Sequence, residues 1–283
     1  MLRTRENRAF GRSAETRIEL GYTGKTFTLN TGAQIPAIGC GTFQDKEQQE
    51  GAVLEALKAG ARLIDTARVY DTEPFIGTAI MRSSDRFPKG EDGLMRMGET
   101  TYVDRWKALQ EIMKRTGKMR AIGVSYFSKD EVEKLIETGM PPAVHQMEFH
   151  PFLSQKSFAA WHKSFGIHVQ QFSPLGNMNS FYRDVYWRNG RANRGRLLDE
   201  PVLSEIGAKY SKSPAQMALA WGVNHRRSVI PKSTIPWQIK QNIESDFVLE
   251  EDMERIDKLN ADLRFNTPDR AYRWPLHKGL DGV

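Results

Sequence analysis

The sequence predicts an α/β fold: a (β/α)8-type TIM barrel that is incomplete, with about six parallel strands behind an N-terminal β-hairpin. Three observations carry this prediction. Short apolar strands alternate with amphipathic helices, the pattern of a parallel sheet with helices outside it. Polar residues cluster directly after the strands, namely Asp65, Ser125, Gln146, Glu148, Ser173, Lys232 and Ser233, and the carboxyl ends of barrel strands are where function lies. The stretch from Gly39 to Ser233 spans 195 residues, which holds about six units at the roughly 31 residues per unit of an eight-unit barrel.

The elements follow in order. Thr26 to Pro36 alternates apolar and polar residues around Asn30-Thr31-Gly32, a hairpin signal. Ala37 to Thr42 and Arg62 to Thr66 read as strands, with a helix from Lys46 to Lys58 between them that stops at Gly60. Helices are predicted over Thr72 to Ser83 and Tyr102 to Thr116, with no strand in the polar, Gly-rich stretch from Ser84 to Thr101. A crossover helix must return to a strand, so this stretch interrupts the barrel. Strands then recur at Ala121 to Ser125, Ala143 to Glu148, His168 to Ser173 and Val229 to Pro231. Helices are expected over Ser128–Glu137, Ser154–Phe165, Pro201–Tyr210, Pro214–Asn224, Pro236–Asp246 and Glu251–Asn260. Two open with capping boxes, Ser128 with Glu131 and Ser213 with Gln216. Residues 1–25 read as a disordered extension, 26–265 as a single partial barrel domain and 266–283 as a tail.

Composition bounds the function. With 39% hydrophobic and 27% charged residues among 283, wholesale disorder is excluded. The longest apolar run, Met217 to Val223, is too short to cross a membrane. The single cysteine, Cys40, excludes an intramolecular disulfide and a cysteine-rich zinc site, and points to a reducing, cytoplasmic setting. The net charge of +6 is spread along the chain without interleaved aromatics. That pattern predicts neither a nucleic-acid nor a membrane partner and suits a polyanionic cofactor. Among the six histidines only His145 and His150 approach a metal-ligand spacing. There is neither a Walker loop nor a G-x-G-x-x-G motif.

The residues at the strand ends suggest the chemistry. Asp65 ends a strand and Tyr70 lies five residues on. A tyrosine can protonate a carbonyl oxygen, but a phenol with a pKa near 10 needs a nearby cation to do so at neutral pH. The alternative is a surface tyrosine and a strand-end aspartate that caps the next helix. Gly41-Thr42 would allow a ligand close to the first strand. Ser125, Gln146 and Phe172 offer two amide-bonding groups and an aromatic face. Lys232 and Ser233 precede a helix starting near Pro236 and suit a phosphate.

The pieces IPAIGCGTF, GARLIDTARVYDTEPFIGTAI, WKALQEIMKRTGKMRAIGVSYFSKDEVEKL, AVHQMEFHPFL, QFSPLGN and SPAQMALAWGV…SVIPKS, in this order, resemble the aldo-keto reductases. The wording is closest to fungal-type members acting on small sugars, polyols and related aldehydes. The resemblance runs from about Thr26 to about Phe265. It implies an NADP(H)-dependent (β/α)8 barrel that reduces small aldehydes and ketones, with hydride from the nicotinamide and Tyr70 as general acid beside Asp65. By position it assigns Gly41 and Thr42 to the cofactor, Ser125 and Gln146 to the carboxamide and Phe172 to stacking. Ser173 and Leu175 fall to the pyrophosphate, Lys232 and Ser233 to the 2′-phosphate, and Gln241 and Asn242 to the adenine end.

The departures are specific. The third strand, third helix and fourth strand of the family are missing, and with them the tetrad's Lys and His. Tyr126 stands where the family has Asn, and Gln238 where an Arg clamps the 2′-phosphate. The expectation is impaired catalysis. The alternatives are a non-catalytic nucleotide-binding remnant, or a shortened product of splicing or of the gene model. Unpaired sheet edges would allow association with another chain.

Overall fold

The computed structural model describes residues 24–67, 70, 72, 100–176, 195–249 and 251–266. The predicted helix Thr72–Ser83, most of the interrupting stretch, the N-terminal extension up to residue 23 and residues 267–283 lie outside the described residues.

The hairpin forms as its alternation dictates. Thr26–Thr28 (β1) pairs antiparallel with Gln34–Pro36 (β2), Phe27 opposite Ile35. Those two side chains are buried, while Thr26, Thr28 and Gln34 are exposed. Gly32, at φ 80°, supplies the left-handed turn and donates its N–H to the Leu29 carbonyl at 2.9 Å. The buried face joins Leu29, Ala37, Ile38, Ala143, Leu219, Val223 and Val229 in one cluster. The hairpin is tied down by Ser228 Oγ, which donates to the Pro36 carbonyl at 2.8 Å, and by Asn30 Nδ2, which donates to that of Pro142 at 3.1 Å.

Six parallel strands form one sheet. They are Cys40–Gly41 (β3), Ile64–Asp65 (β4), Gly123–Ser125 (β5), Val144–Glu148 (β6), His168–Phe172 (β7) and Ser228–Val229 (β8). β3 pairs with β4, and β5 to β8 pair in sequence order. A parallel bridge from Ile38 to Val229, with Gly39 N–H on the Val229 carbonyl at 2.9 Å and Gly41 N–H on that of Pro231 at 3.0 Å, joins the two groups. The spatial order is therefore β4-β3-β8-β7-β6-β5. The first barrel strand lies beside the last, as in a barrel, but among the described residues β4 and β5 are each paired on one side only. Among the described residues the sheet is an open barrel of six strands, as the alternation predicts.

The helices form the outer layer. They are Gln49–Lys58 (α1), Tyr102–Thr116 (α2), Lys129–Ile136 (α3), Lys156–Ser164 (α4), Pro201–Tyr210 (α5), Pro214–Asn224 (α6), Pro236–Ile243 (α7) and Met253–Asp257 (α8). The apolar run in α6 is buried from Gln216 to Val223, as a helix apolar all round must be. Met217, Ala218, Ala220 and Trp221 pack with Leu203, Ile206, Phe152 and Leu249 in the largest cluster. Gly222 lets α6 approach the sheet, since a Cβ there would stand 2.8 Å from Val229 Cγ1.

Several boundaries differ from the sequence reading. Arg62–Thr66 and Ala121–Ser125 are paired only over Ile64–Asp65 and Gly123–Ser125. The same shortening affects interior strands, since Ala37–Thr42 is a strand only over Cys40–Gly41 and the strand expected over Val229–Pro231 runs over Ser228–Val229. The helix expected to reach Asp246 ends at Ile243. Ser245 Oγ donates to the Gln241 carbonyl at 2.9 Å, and the Asp246 carboxylate accepts the Lys25 N–H at 3.0 Å, which draws the chain off the helix axis. The helix over Glu251–Asn260 contracts to Met253–Asp257, with Asn260 Oδ1 accepting the Ser154 N–H at 2.8 Å instead.

Candidate active site

The carboxyl ends of the six strands gather most of the candidate residues. Gly41 ends β3, and a Cβ there would stand 3.0 Å from the Ile230 carbonyl, so the close approach of β3 to the β8 segment requires glycine. The next residue, Thr42, is buried and donates its hydroxyl to the Asp65 carbonyl at 2.8 Å. Thr42 and Thr66 each lie 3.3 Å, hydroxyl to hydroxyl, from the buried Thr72.

Asp65 is the centre of the arrangement. Gln146, on β6, donates through Nε2 to Asp65 Oδ1 at 2.9 Å and to Gln170 Oε1 at 2.8 Å. Three strands separate β4 from β6 in the sheet order, so this bond crosses the interior. The open sheet is curled until side chains of β4 and β6 meet. Burial pushes the Asp65 carboxyl above its ordinary value, and the Gln146 hydrogen bond offsets part of that rise. Among the described residues no cation lies within ion-pair distance of Asp65. Tyr70 donates its backbone N–H to the Ala67 carbonyl at 2.8 Å, and its ring stands edge-on to Phe43 at 5.1 Å between centroids.

Around the β5–β7 ends, Ser125 lies exposed on the open edge, in register with Gln146. Phe172, at the end of β7, packs its ring against that of Tyr126 at 5.5 Å and 35°. Ser173 follows at φ 47° and receives the Asn266 amide on its hydroxyl at 3.4 Å. Leu175 packs between two core clusters.

Leu263 to Asn266 form a strap across this end of the sheet. The fully buried Glu148 carboxylate accepts Phe265 N–H at 2.7 Å and Asn266 N–H at 2.9 Å, and it pairs with His150 Nε2 at 3.1 Å. Burial alone would raise the Glu148 carboxyl. The His150 hydrogen bond and charge, the nearby Arg264 and the Phe265 N–H outweigh it and bring it down to about 2. The sequence placed Glu148 at a strand end without a role. Its signal was a carboxylate in the apolar-flanked MEFH segment two residues before His150, but the strap amides it accepts lie 117 and 118 residues away.

The remaining candidates lie beside β3 and β8. Lys232 forms an ion pair with Asp45. Ser233 donates its hydroxyl to Gln238 Oε1 at 2.7 Å and accepts Ile235 N–H at 3.0 Å. In α7, Gln241 accepts on its backbone carbonyl from Gln216 Nε2 at 3.1 Å, and Asn242 is buried. The two histidines with a metal-like spacing have other partners. His145 stands 2.7 Å from His162, and His150 is on Glu148.

A nicotinamide dinucleotide fits these residues at one end. The glycine at Gly41, the Lys232 cation and the Ser233 hydroxyl adjoin one another and suit phosphate and ribose, provided the phosphate displaces Asp45 from Lys232 and Gln238 from the Ser233 hydroxyl. At the other end both groups that would receive the nicotinamide, the Gln146 amide and the Phe172 ring, already have partners within the chain.

A parallel sheet with a carboxylate and amides at its carboxyl ends and helices outside it places the chain in the α/β-barrel fold class. The comparisons with known proteins refine that class. The model of the aldo/keto reductase family matches residues 96–261. Aldo-keto reductase family 1 member A1 of Sus scrofa is 32% identical over 302 residues, covering 85% of this chain and 90% of that protein. An uncharacterized oxidoreductase of Schizosaccharomyces pombe is 30% identical over 312 residues, covering 90% of this chain and 94% of that protein. The structure of the aldose reductase from Schistosoma japonicum superposes with a TM-score of 0.74 at 22% identity, covering 87% of this chain and 96% of that one. The crystal structure of Gox0644 in its apo form gives 0.69 at 26% identity, covering 86% and 96%. The chain belongs to the aldo/keto reductase family.

Proposed function

We propose that this chain binds NADP(H) through the corner formed by Gly41, Lys232 and Ser233, and that its reduction of small aldehydes and ketones is severely impaired. The observation that carries the reading is the bond from Gln146 to Asp65. The bound nicotinamide would supply hydride to a carbonyl. The proton would have to come from the Tyr70 hydroxyl, and a phenol delivers it at neutral pH only when a cation lowers its pKa. The half-buried Asp65 carboxylate is the group that would orient such a cation, and it holds a neutral amide instead. General acid catalysis contributes about 10²–10⁴-fold in rate, and that factor is what the chain forgoes.

An internal deletion accounts for the missing cation. The 302 aligned positions shared with the Sus scrofa relative exceed the 283 residues of this chain, of which 85%, about 241, take part. About 60 aligned positions therefore have no counterpart here, close to two barrel units of roughly 31 residues. The sequence places the junction at Ser83–Asp85, outside the described residues. Genomic DNA and full-length transcripts read across that junction should carry coding sequence for the absent strands. A cytoplasmic setting accords with the lone Cys40, whose thiol burial pushes up to about 11.

The activity test is carbonyl-dependent NADPH oxidation by pure protein, with Tyr70→Phe as control. The expected result is turnover at background for both forms. Robust turnover that Tyr70→Phe abolishes would overturn the impairment. Saturable quenching of tryptophan fluorescence by NADPH, weakened by Lys232→Ala, tests binding separately.

A further inference from the structure

Tyr126 is the one residue at the site whose backbone, ring and hydroxyl are all committed to it. Its φ is 63°, a left-handed conformation that Asn and Gly adopt readily and bulky residues do not. Its N–H donates to the Gln146 carbonyl at 3.0 Å. Its ring lies on Phe172, with centroids 5.5 Å apart, within the packing range of an aromatic pair. Its hydroxyl donates to the Asn266 carbonyl. Asn266 is itself fixed, because Glu148 accepts its N–H at 2.9 Å. The ring is thus anchored at both ends, by the β6 edge behind it and by the strap in front. Strained backbone that the surroundings hold in place is found where a side chain must occupy one particular spot.

We propose that Tyr126 occupies the nicotinamide subsite, so that the chain's ligand is the adenosine-diphosphate half of the dinucleotide and the nicotinamide ring adds nothing to its affinity. The inference rests on the reading above, in which Phe172 and Gln146 face the nicotinamide. The Tyr126 ring packs against Phe172 at a tilt of 35° with centroids 5.5 Å apart, crowding the side a nicotinamide would stack on, and Gln146 gives its amide to Asp65 and Gln170. The groups suited to phosphate and ribose lie elsewhere, on the β3 and β8 segments, whereas Tyr126 follows β5 at the far side of the sheet. Binding of the two halves is therefore separable.

The test compares NADPH with 2′-phospho-ADP-ribose, which lacks only the nicotinamide ring, by isothermal titration calorimetry on the full chain. The two dissociation constants should agree within about threefold. Tyr126→Asn, which suits the left-handed backbone and clears Phe172, should tighten NADPH by about tenfold or more and leave 2′-phospho-ADP-ribose unchanged. Tyr126→Phe keeps the ring volume and the fold while releasing the strap anchor, and should give a smaller gain for NADPH alone. The inference fails if the parent chain binds NADPH about tenfold tighter than 2′-phospho-ADP-ribose, or if the variants shift both ligands equally; the nucleotide-binding reading then survives. Absence of binding by either ligand at millimolar concentration overturns that reading and the inference with it.

Discussion

His145 and His162 form a buried pair whose tautomers are assigned by their partners. Phe158 O only accepts, so His162 Nδ1 donates to it at 2.7 Å and His162 Nε2 must accept. His145 Nδ1 then donates at 2.7 Å, and His145 Nε2 accepts Phe127 N–H at 3.0 Å. Both rings are neutral and fully paired, and a proton on either breaks a bond. Burial lowers both, His162 to about 4. Because the folded value lies below the unfolded one, the stabilisation is complete above an unfolded value near 6.5 and is lost as pH falls toward 4. For His162 alone this is on the order of 3 kcal/mol. Urea unfolding should show lower stability at pH 4.5 than at pH 7.5, and His162→Gln should flatten that profile. At this scale the sequence was legible in part. It located Asp65 and Phe172 at strand ends, because apolar runs bounded by polar residues mark where a strand stops, but Gln146, read as a strand end, lies in the middle of β6. It did not pair Gln146 with Asp65, because a motif names the strand end and says nothing of which side chain crosses an interior that lacks a wall.

Helix starts were the most legible elements. Ser128 with Glu131 and Ser213 with Gln216 form the capping boxes their spacing implies, and Thr101 with Asp104 forms a third. Caps are read from residues three apart, and so need no tertiary information. The Leu263–Asn266 strap was not legible, because the groups that hold it, the Glu148 carboxylate, the Phe152 carbonyl, Gln155 and the Tyr126 hydroxyl, are all distant in sequence. Glu148→Gln removes the charge that accepts two backbone N–H groups and pairs with His150, and should cost about 2–4 kcal/mol. Denaturant unfolding measures the loss. Hydrogen exchange at the Phe265 and Asn266 amides should accelerate more than exchange in α6; a uniform change across the chain would assign Glu148 to the core rather than to the strap.

For the molecule as a whole, the count of six strands followed from residue spacing, and the order β4-β3-β8-β7-β6-β5 agrees with it. The curl that brings Gln146 to Asp65 did not follow, since spacing fixes how many units a chain holds and not how far an open sheet closes. Two parallel strands that are each paired on one side among the described residues are templates for further pairing. The expected behaviour is concentration-dependent association, seen as a rising weight-average mass in sedimentation equilibrium. One monomeric species over the whole concentration range would mean that the edges are covered within the chain.

The hairpin at the amino end of the sheet has a consequence in time. Its anchors are distant in the chain: Pro36 waits for Ser228, 192 residues later, and Lys25 for Asp246, 221 residues later. At about 5–20 residues per second of synthesis, Phe27 and Ile35 emerge from the ribosome roughly 10–40 seconds before the strand that covers them. During that interval an apolar two-stranded ribbon, too small to be stable alone, is exposed in a half-made chain. Chaperone demand during translation should therefore fall mainly on the first two elements made, and only slightly on the helices that follow.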